Sequence, residues 1–189
     1  MYHSNHALKQ SKNQQTLSTA NLLFTTTINT PLGPMTAIGD HTMLYLLEFA
    51  DRPNLEQEIE QLKQETLATI VQGTTQPIDC INAELKAYFD GTLTTFTTPT
   101  LFFGTVFQKK VWHKLQQIPF GTTCSYSAMA TTIGQPNAFR AVARANSMNK
   151  LALIVPCHRV IKADGDLSGY AGGTERKKWL IEHEHLKYI

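Results

Sequence analysis

The chain has 189 residues and 42% apolar content, enough to bury a core in one large or two small domains. It contains no run of about 18 apolar residues, and residues 1–20 are polar, which excludes a membrane-spanning helix and a secretion signal. The three cysteines, Cys80, Cys124 and Cys157, form no CxxC pair, so neither a disulfide framework nor a zinc finger is indicated. A cytoplasmic protein with reduced thiols is expected.

The charge is divided unevenly along the chain. Residues 1–106 hold 5 Lys and Arg against 10 Asp and Glu, a net charge of −5, whereas residues 107–189 hold 12 against 5, a net charge of +7. A basic half gains affinity for nucleic acid because it displaces counterions from phosphates. The same asymmetry also fits an uneven but solvated surface.

The first half of the chain predicts a small α/β body. Residues 1–20 are rich in Gln, Asn, Ser and Thr and predict a mobile polar leader. From Leu22 to Phe49, short β-branched and apolar segments alternate with turn signals, which predicts an antiparallel meander. Helical spacing of apolar residues then predicts one helix from Pro53 to Leu67 and another over 81–89, which Asp90-Gly91 closes.

A Thr-rich stretch over 92–105 predicts a linker that runs over the surface between two bodies. We place the boundary near residue 100, so that an N-terminal α/β domain occupies 21–100 and a C-terminal domain occupies 101–189. The predicted fold class is α/β of the α+β type, with a small antiparallel sheet and helices in the first domain and mostly helices in the second.

The second half predicts a helix-turn-helix. A helix over 106–118 comes first, and a short helix through Ile133 follows Ser125-Tyr126-Ser127. A tight Gly-containing turn then leads into a helix over 138–146, which carries two arginines. Such helix pairs are common, so the pattern alone leaves DNA binding and ordinary packing open; the arginines and the basic charge favour DNA.

An apolar run over 151–155 predicts a buried strand that Pro156 stops, which would place Cys157 at a strand end. A Gly-rich loop over 164–173 and a final helix over 174–185 follow.

Cys157 is the candidate reactive residue, and His158 and Arg159 adjoin it. A cysteine reacts as thiolate, so it needs a base or a positive environment to lower its pKa. Neighbours in an extended chain point to opposite faces, so His158 would reach the sulfur through a water, and a carboxylate such as Glu184 would orient that histidine. On spacing alone, Cys157 also fits a small core residue. Cys124 lacks an adjacent base and is expected to be structural.

The pentapeptide Pro156-Cys157-His158-Arg159-Val160 resembles the active-site signature of the O6-alkylguanine-DNA alkyltransferases, also called methylated-DNA–protein-cysteine methyltransferases. The similarity covers nearly all of residues 100–189. It includes Phe107-Gln108, Val111-Trp112, Ser125-Tyr126, Arg140-Ala141-Val142, Ala145-Asn146, Gly169-Tyr170 and Gly172-Gly173. The first half resembles the family's variable, ribonuclease-H-like N-terminal domain more loosely, through 30–34 and 85–91.

The resemblance implies repair of double-stranded DNA by irreversible transfer of alkyl groups from O6 of guanine, and of methyl groups from O4 of thymine, to the protein's own cysteine. It implies that Cys157 accepts the alkyl group, His158 is its base through water, Glu184 orients His158, and Asn149 supports the active-site turn. The residues implied to contact the DNA or the extruded nucleotide are Tyr126, Ala138, Arg140, Ala143, Tyr170 and Gly172. Arg140 would be a finger in the minor groove, and the loop with Tyr170 would wall the pocket. We expect a monomer with no membrane partner.

Two positions depart from the family pattern. Ala143 stands where glycine is usual, and Lys150 replaces the proline that usually follows Asn149. The added methyl group would hold the helix farther from the DNA, whereas Arg144 and Lys150 would add positive charge near the phosphates, so altered affinity is expected. Some relatives bind zinc in the N-terminal half, but residues 1–100 contain only Cys80, so neither a metal nor another cofactor is predicted.

Three other functions remain open from the sequence. Alkyltransferase-like proteins bind the lesion without repairing it, although they lack the cysteine that this chain has. Cys157, His158 and Glu184 could instead form the triad of a cysteine hydrolase. A transcription regulator could use the helix-turn-helix to recognise a DNA sequence.

Overall fold

The computed structural model describes residues 21–167 and 169–188. The predicted mobile leader over 1–20 lies outside the described residues. Within the described ranges, every helix is too short or too polar to cross a membrane.

Four strands form a sheet in the order β3-β2-β1-β4. They are β1 (Asn21–Thr30), β2 (Gly33–Gly39), β3 (Leu44–Phe49) and β4 (Ala68–Gln72). The antiparallel pairing of β1, β2 and β3 confirms the predicted meander. β4, which pairs parallel with β1, was not predicted, because the helical pattern extends to Leu67. In the structure α1 (Leu55–Thr66) ends there, and Leu67 adopts a left-handed conformation with φ 50°.

Helices cover both faces of this sheet. On one face α1 contributes Leu55 and Leu62 to a buried cluster with Leu46 of β3. On the other face lies α2 (Gln76–Phe89), which belongs to the main core together with Leu47 and Phe49. β3 is therefore buried on both sides, which explains its almost uninterrupted apolar sequence.

The second half is mostly helical. Its elements are α3 (Val106–Leu115), β5 (Cys124–Ser125), α4 (Tyr126–Thr132), α5 (Phe139–Ser147), a 3-10 turn (Cys157–Arg159), β6 (Val160–Ile161) and α6 (Thr174–Tyr188). α3 begins at a capping box formed by Thr105 and Gln108 and ends three residues before the predicted end. The predicted helix pair is confirmed as α4 and α5, and Gly134 turns the chain between them with φ 76°.

Residues 151–155 do not form the predicted strand. The backbone N–H of Leu47 donates to Lys150 O and that of Ala152 donates to Leu47 O, both at 2.8 Å, so the segment meets β3 at one isolated bridge. Leu153 then turns the chain with φ 70°. Cys157 consequently begins a 3-10 turn and does not emerge from a strand end. An apolar run indicates burial but does not specify a strand, and here a buried turn removes the apolar side chains from water.

The two predicted domains share a continuous core. The main cluster of buried apolar residues extends from Ile28 of β1 to Leu180 of α6. The predicted linker is bound to the first half of the chain, because Glu84 of α2 accepts hydrogen bonds from the backbone N–H and the hydroxyl groups of Thr97 and Thr98. The predicted boundary near residue 100 thus lies within closely packed structure.

Candidate active site

Cys157 lies at the contact between the two halves of the chain and is only 6% exposed. The amide nitrogen Nδ2 of Asn149 lies 3.2 Å from its sulfur and donates to it. That amide is fixed on both sides, since Nδ2 also donates to Val155 O at 3.0 Å and Oδ1 accepts from Leu151 N–H at 3.0 Å. The Asn149 amide therefore directs one hydrogen at the thiol sulfur and is itself held by the neighbouring backbone.

A second asparagine, Asn146, fixes the backbone of the same turn. Its Nδ2 donates to Cys157 O at 3.1 Å. Next to it in the chain, Ala145 O accepts the indole N–H of Trp112 at 2.8 Å. The C-terminal end of α5 is thereby hydrogen-bonded both to α3 and to the turn that carries the thiol.

His158 is completely buried, and its Nε2 lies 2.8 Å from Oε1 of Glu184 on α6. Burial alone would raise the pKa of Glu184, but hydrogen bonds and charge from His158, followed by those from Arg159, lower it to about 2. Because an ionised carboxylate can only accept, the ring hydrogen is on Nε2. The other ring nitrogen, Nδ1, makes no hydrogen bond within the described part of the chain and presents its lone pair.

Glu184 receives more donors than the sequence suggested. Arg159 donates from Nε to Oε2 at 2.8 Å and from Nη2 to Oε1 at 3.0 Å. The hydroxyl of Tyr88, from α2 in the first half, donates to Oε1 at 2.9 Å, and the backbone N–H of Gly121 donates to Oε2 at 3.3 Å. The positive charge of Arg159 is therefore directed at the carboxylate, and only the tertiary fold reveals Tyr88 and Gly121.

The resting thiol keeps its proton. Burial raises the pKa of Cys157 to about 11, although the hydrogen bond from Asn149 opposes that rise. Burial also lowers the pKa of His158, against the effect of Glu184, so the imidazole is neutral near pH 7. His158 directly follows Cys157 in the chain, and a neutral imidazole with a free lone pair is able to take up a thiol proton as the sulfur reacts.

Arg52, just after β3, is a further residue that sequence reasoning missed. Its Nη1 donates to Asn149 O at 2.9 Å and its Nη2 to Ser147 O at 2.8 Å, so it holds the backbone that carries Asn149. Its Nη1 also donates to Glu48, and its Nη2 forms an ion pair with Glu58 at 3.0 Å. Burial, and then the charge of Glu58, raise the pKa of Glu48 to about 8, despite the opposing effect of Arg52. A glutamate in an otherwise apolar strand, four residues before an arginine, was the available sequence signal.

Tyr170 and Gly172, which the resemblance implied to wall the pocket, lie close to Phe49 of β3. Tyr170 is buried, and its hydroxyl has no hydrogen-bond partner among the described residues. A Cβ on Gly172 would lie 2.7 Å from Cε1 of Tyr170 and 3.1 Å from Cδ2 of Phe49. Only glycine lets this loop approach so closely, and the loop packs against the sheet of the first half.

The other residues with implied DNA contacts lie on the helix-turn-helix. Tyr126 is the first residue of α4 and is half-buried; burial, and then the proximity of Cys157, raise its pKa. Arg140 is exposed on α5, Ala143 is half-buried on the same helix, and Ala138 precedes its first turn. The structure thus gathers Cys157 and its supporting residues inside the molecule and leaves Arg140 on the surface.

The expectation for Lys150 was wrong. Its side chain is buried, and its Nζ lies 3.7 Å from Oε2 of Glu65 in the first half of the chain. It therefore faces an acidic side chain of α1 and adds no exposed charge for DNA phosphates. Arg144 is exposed, as expected. In residues 21–167 and 169–188, no three His, Cys, Asp or Glu side chains are grouped so as to hold a metal ion.

Two family models match the chain. One, described as "6-O-methylguanine DNA methyltransferase, DNA binding domain", covers residues 106–186. The other, described as "6-O-methylguanine DNA methyltransferase, ribonuclease-like domain", covers residues 23–102. Among curated proteins, the methylated-DNA–protein-cysteine methyltransferase of Mycobacterium tuberculosis is 43% identical over 84% of this chain and 90% of its own length. That of Shigella flexneri is 39% identical over 83% of this chain and 92% of its own length.

Solved structures show the same similarity. The O6-methylguanine methyltransferase of M. tuberculosis superposes with a TM-score of 0.76 at 39% identity, covering 87% of this chain and 94% of that one. M. tuberculosis OGT in complex with DNA gives a TM-score of 0.74 at 39% identity, with 88% and 94% covered. The O6-methylguanine-DNA methyltransferase of Pyrococcus kodakaraensis gives 0.65 at 25% identity, with 86% and 98% covered.

Proposed function

The chain belongs to the 6-O-methylguanine DNA methyltransferase family, and on that premise we propose that Cys157 is the residue to which it transfers alkyl groups. The protein is a DNA-repair enzyme that acts by alkyl transfer to a cysteine. The convergence of Asn149, His158 and Glu184 around the Cys157 turn carries the assignment of the acceptor.

The proton of the thiol leaves as the sulfur attacks. Because burial raises the pKa of Cys157 to about 11, little thiolate exists at rest, and deprotonation has to accompany transfer. Nδ1 of His158 is the base, and it takes the proton through a bridging water. The Asn149 amide stabilises the negative charge that develops on the sulfur, since a hydrogen bond to a charged acceptor is stronger than one to a neutral acceptor.

Glu184 is a positioning residue for this step. Its carboxylate fixes the hydrogen of His158 on Nε2 and stabilises the imidazolium that forms when Nδ1 is protonated. Arg159 and Tyr88 in turn hold both oxygens of Glu184, so the carboxylate cannot rotate away. The three groups act as one buried network in which each donor has an acceptor.

The bond changes balance without another reactant. The Cys157 sulfur forms a bond to the alkyl carbon, and the bond between that carbon and O6 of guanine breaks. The electron pair of the broken bond stays on guanine, which takes up one proton. The net result is that the thiol proton replaces the alkyl group on guanine. The product is a thioether, and a thioether sulfur is a poor leaving group. Each chain therefore reacts once.

The substrate is double-stranded DNA with an O6-alkylguanine. The exposed Arg140 on α5 fits the role of a finger that enters the minor groove, with Ala138 and Ala143 close to the backbone. The target base has to leave the helix because its O6 substituent lies within the duplex. Tyr126 and the loop with Tyr170 and Gly172 then receive it next to the sulfur. We also assign O4-methylthymine as a second substrate.

One chain supplies the whole network, which supports action as a monomer. The three cysteines are all free, which supports a reducing compartment such as the cytoplasm. Sedimentation with and without DNA checks the first assignment, and fractionation of cells checks the second.

Mass spectrometry of the intact protein tests the acceptor. After brief incubation with a duplex that carries one O6-methylguanine, the chain should gain one methylene mass, and the gain should stop at one per chain. Cys157→Ala should gain nothing, whereas Cys124→Ala, which removes the half-buried thiol of β5, should behave like the unchanged protein.

Each alternative has its own signature in the same experiment. Lesion binding with unchanged mass would indicate a binding module. A gain that persists in Cys157→Ala would place the acceptor elsewhere. Turnover of an ester by the unmodified protein would indicate a cysteine hydrolase, and preference for one undamaged DNA sequence would indicate a regulator.

A further inference from the structure

Phe139 is an exposed aromatic residue at the start of α5, the second helix of the helix-turn-helix. It is 44% exposed, although burial of a phenyl ring would stabilise the protein. The guanidinium carbon of Arg140 lies 5.5 Å from the centre of its ring, so the two exposed side chains lie together as a cation–π pair. The network around Cys157 does not use this ring.

We propose that Phe139 is an aromatic wedge that stacks on the bases beside the lesion while the damaged nucleotide is out of the duplex. This inference rests on the proposed function. It assigns Phe139 a positioning role in base extrusion, and the partner of the exposed ring is the base stack of double-stranded DNA.

The surroundings of the ring suit such a partner. Arg140 and Arg144 are exposed on the same helix and supply the positive charge that a phosphate backbone requires. A second exposed apolar side chain, Met148, lies at the opposite end of α5 and is not next to Arg140. The apolar ring therefore lies next to the proposed cationic finger, Arg140. Double-stranded DNA explains an exposed aromatic ring beside exposed arginines more simply than a protein partner does.

The chemistry of base extrusion provides a use for the ring. When a base leaves the stack, its neighbours lose a stacking partner, and apolar side chains such as Phe are known to enter a duplex as wedges. Every base has a flat π-face, so an aromatic ring can replace the missing partner whatever the sequence. The contact with Phe139 also restricts the guanidinium of Arg140, so that finger and wedge would enter together.

The test compares methyl transfer from a duplex with transfer from the same lesion in a single strand, which requires no extrusion from a base-paired stack. Single-turnover rates are measured by mass spectrometry for Phe139→Ala and Phe139→Leu. We expect Phe139→Ala to slow transfer from the duplex about tenfold, a typical value for one lost stacking contact, and to leave the single-strand rate unchanged. Phe139→Leu keeps an apolar wedge, so its duplex rate should lie between those of the unsubstituted protein and Phe139→Ala.

The matched control is Leu22→Ala, because Leu22 is also 44% exposed but lies on β1, outside the helix-turn-helix. It should not change either rate. Combining Phe139→Ala with Arg140→Ala should slow the duplex reaction by less than the product of the single effects, since the two side chains contact each other.

Two results would overturn the wedge. An unchanged duplex rate for Phe139→Ala would show that the ring has no part in extrusion, and an equal loss on duplex and single strand would make it a support of the site. Failure of the proposed function looks different, because the unsubstituted protein would then gain no mass from either DNA.

Discussion

Glu184→Gln tests the buried network most directly, because it keeps the shape of the side chain and removes its charge. Glu184 is 1% exposed and accepts from His158, Arg159, Tyr88 and the backbone of Gly121. A glutamine offers one acceptor oxygen in place of two, and its NH2 group is a donor that cannot accept from the other donors around it. The substitution thus leaves a buried guanidinium without a counter-charge.

The direction of the effect follows from the pKa of Glu184, which falls from the ordinary 4.5 to about 2, so that the fold stabilises the ionised form. Its size follows from the general cost of removing one partner of a buried ion pair, about 3 to 5 kcal/mol. Because the pKa is lowered in the folded protein, this stabilisation is present above pH 4.5 and disappears as the pH falls towards 2.

Chemical unfolding of Glu184→Gln at pH 7 should therefore show a loss of about 3 to 5 kcal/mol. The difference from the unsubstituted protein should shrink between pH 4.5 and about 2. Methyl transfer from an O6-methylguanine duplex should slow by about 100-fold or more, as is typical when general-base catalysis is lost. Glu182→Gln, at an exposed position of the same helix, is the control. If the two variants unfold and react alike, the network does not support His158.

Other substitutions probe the parts of the site that come from the first half. Tyr88→Phe removes one donor to Glu184 and should cost about 1.5 to 3 kcal/mol in unfolding free energy and slow methyl transfer. Arg52→Met leaves Glu48, the Glu58 carboxylate and two backbone carbonyls without their donor and should cost about 3 to 5 kcal/mol. Glu48, with its pKa raised to about 8, favours folding below pH 4.5 and loses that contribution as the pH rises through 8, so Glu48→Gln should abolish this part of the pH dependence of unfolding. Gly172→Ala should cost about 1 to 3 kcal/mol, measured by thermal or urea unfolding, because its Cβ would meet a buried ring.

Matched variants separate these effects from general damage. Tyr45→Phe removes a hydroxyl that donates to Asp40 and to no residue of the Glu184 network, and it should not alter transfer. Arg52→Lys keeps a positive charge but cannot span two carbonyls with a planar fork, so it should restore stability only in part. A wild-type pH profile in Glu48→Gln, or a wild-type melting temperature in Gly172→Ala, would contradict the packing described for them.

Local signals in the sequence were sufficient for several elements. Alternation and turn residues predict the meander of β1, β2 and β3, since each signal depends on neighbours in the chain. Helical spacing and a glycine turn predict α4 and α5. β4 was missed because its five residues show no clear apolar alternation. Their strand conformation depends on pairing with β1.

The sequence by itself was sufficient to select the candidate site residues. The resemblance of Pro156-Cys157-His158-Arg159-Val160 implied Cys157 as acceptor and His158 as its base, together with Asn149 and Glu184. The structure places Asn149 beside the Cys157 sulfur and Glu184 beside His158.

The tertiary structure alone decided how that site is held. Arg52 reaches the carbonyl of Asn149 across 97 positions of the chain, and Tyr88 reaches Glu184 across 96. The segment over 151–155 is a turn because a bridge to β3 satisfies its backbone. Such contacts depend on which surfaces meet when the core closes, and no local pattern of residues encodes that.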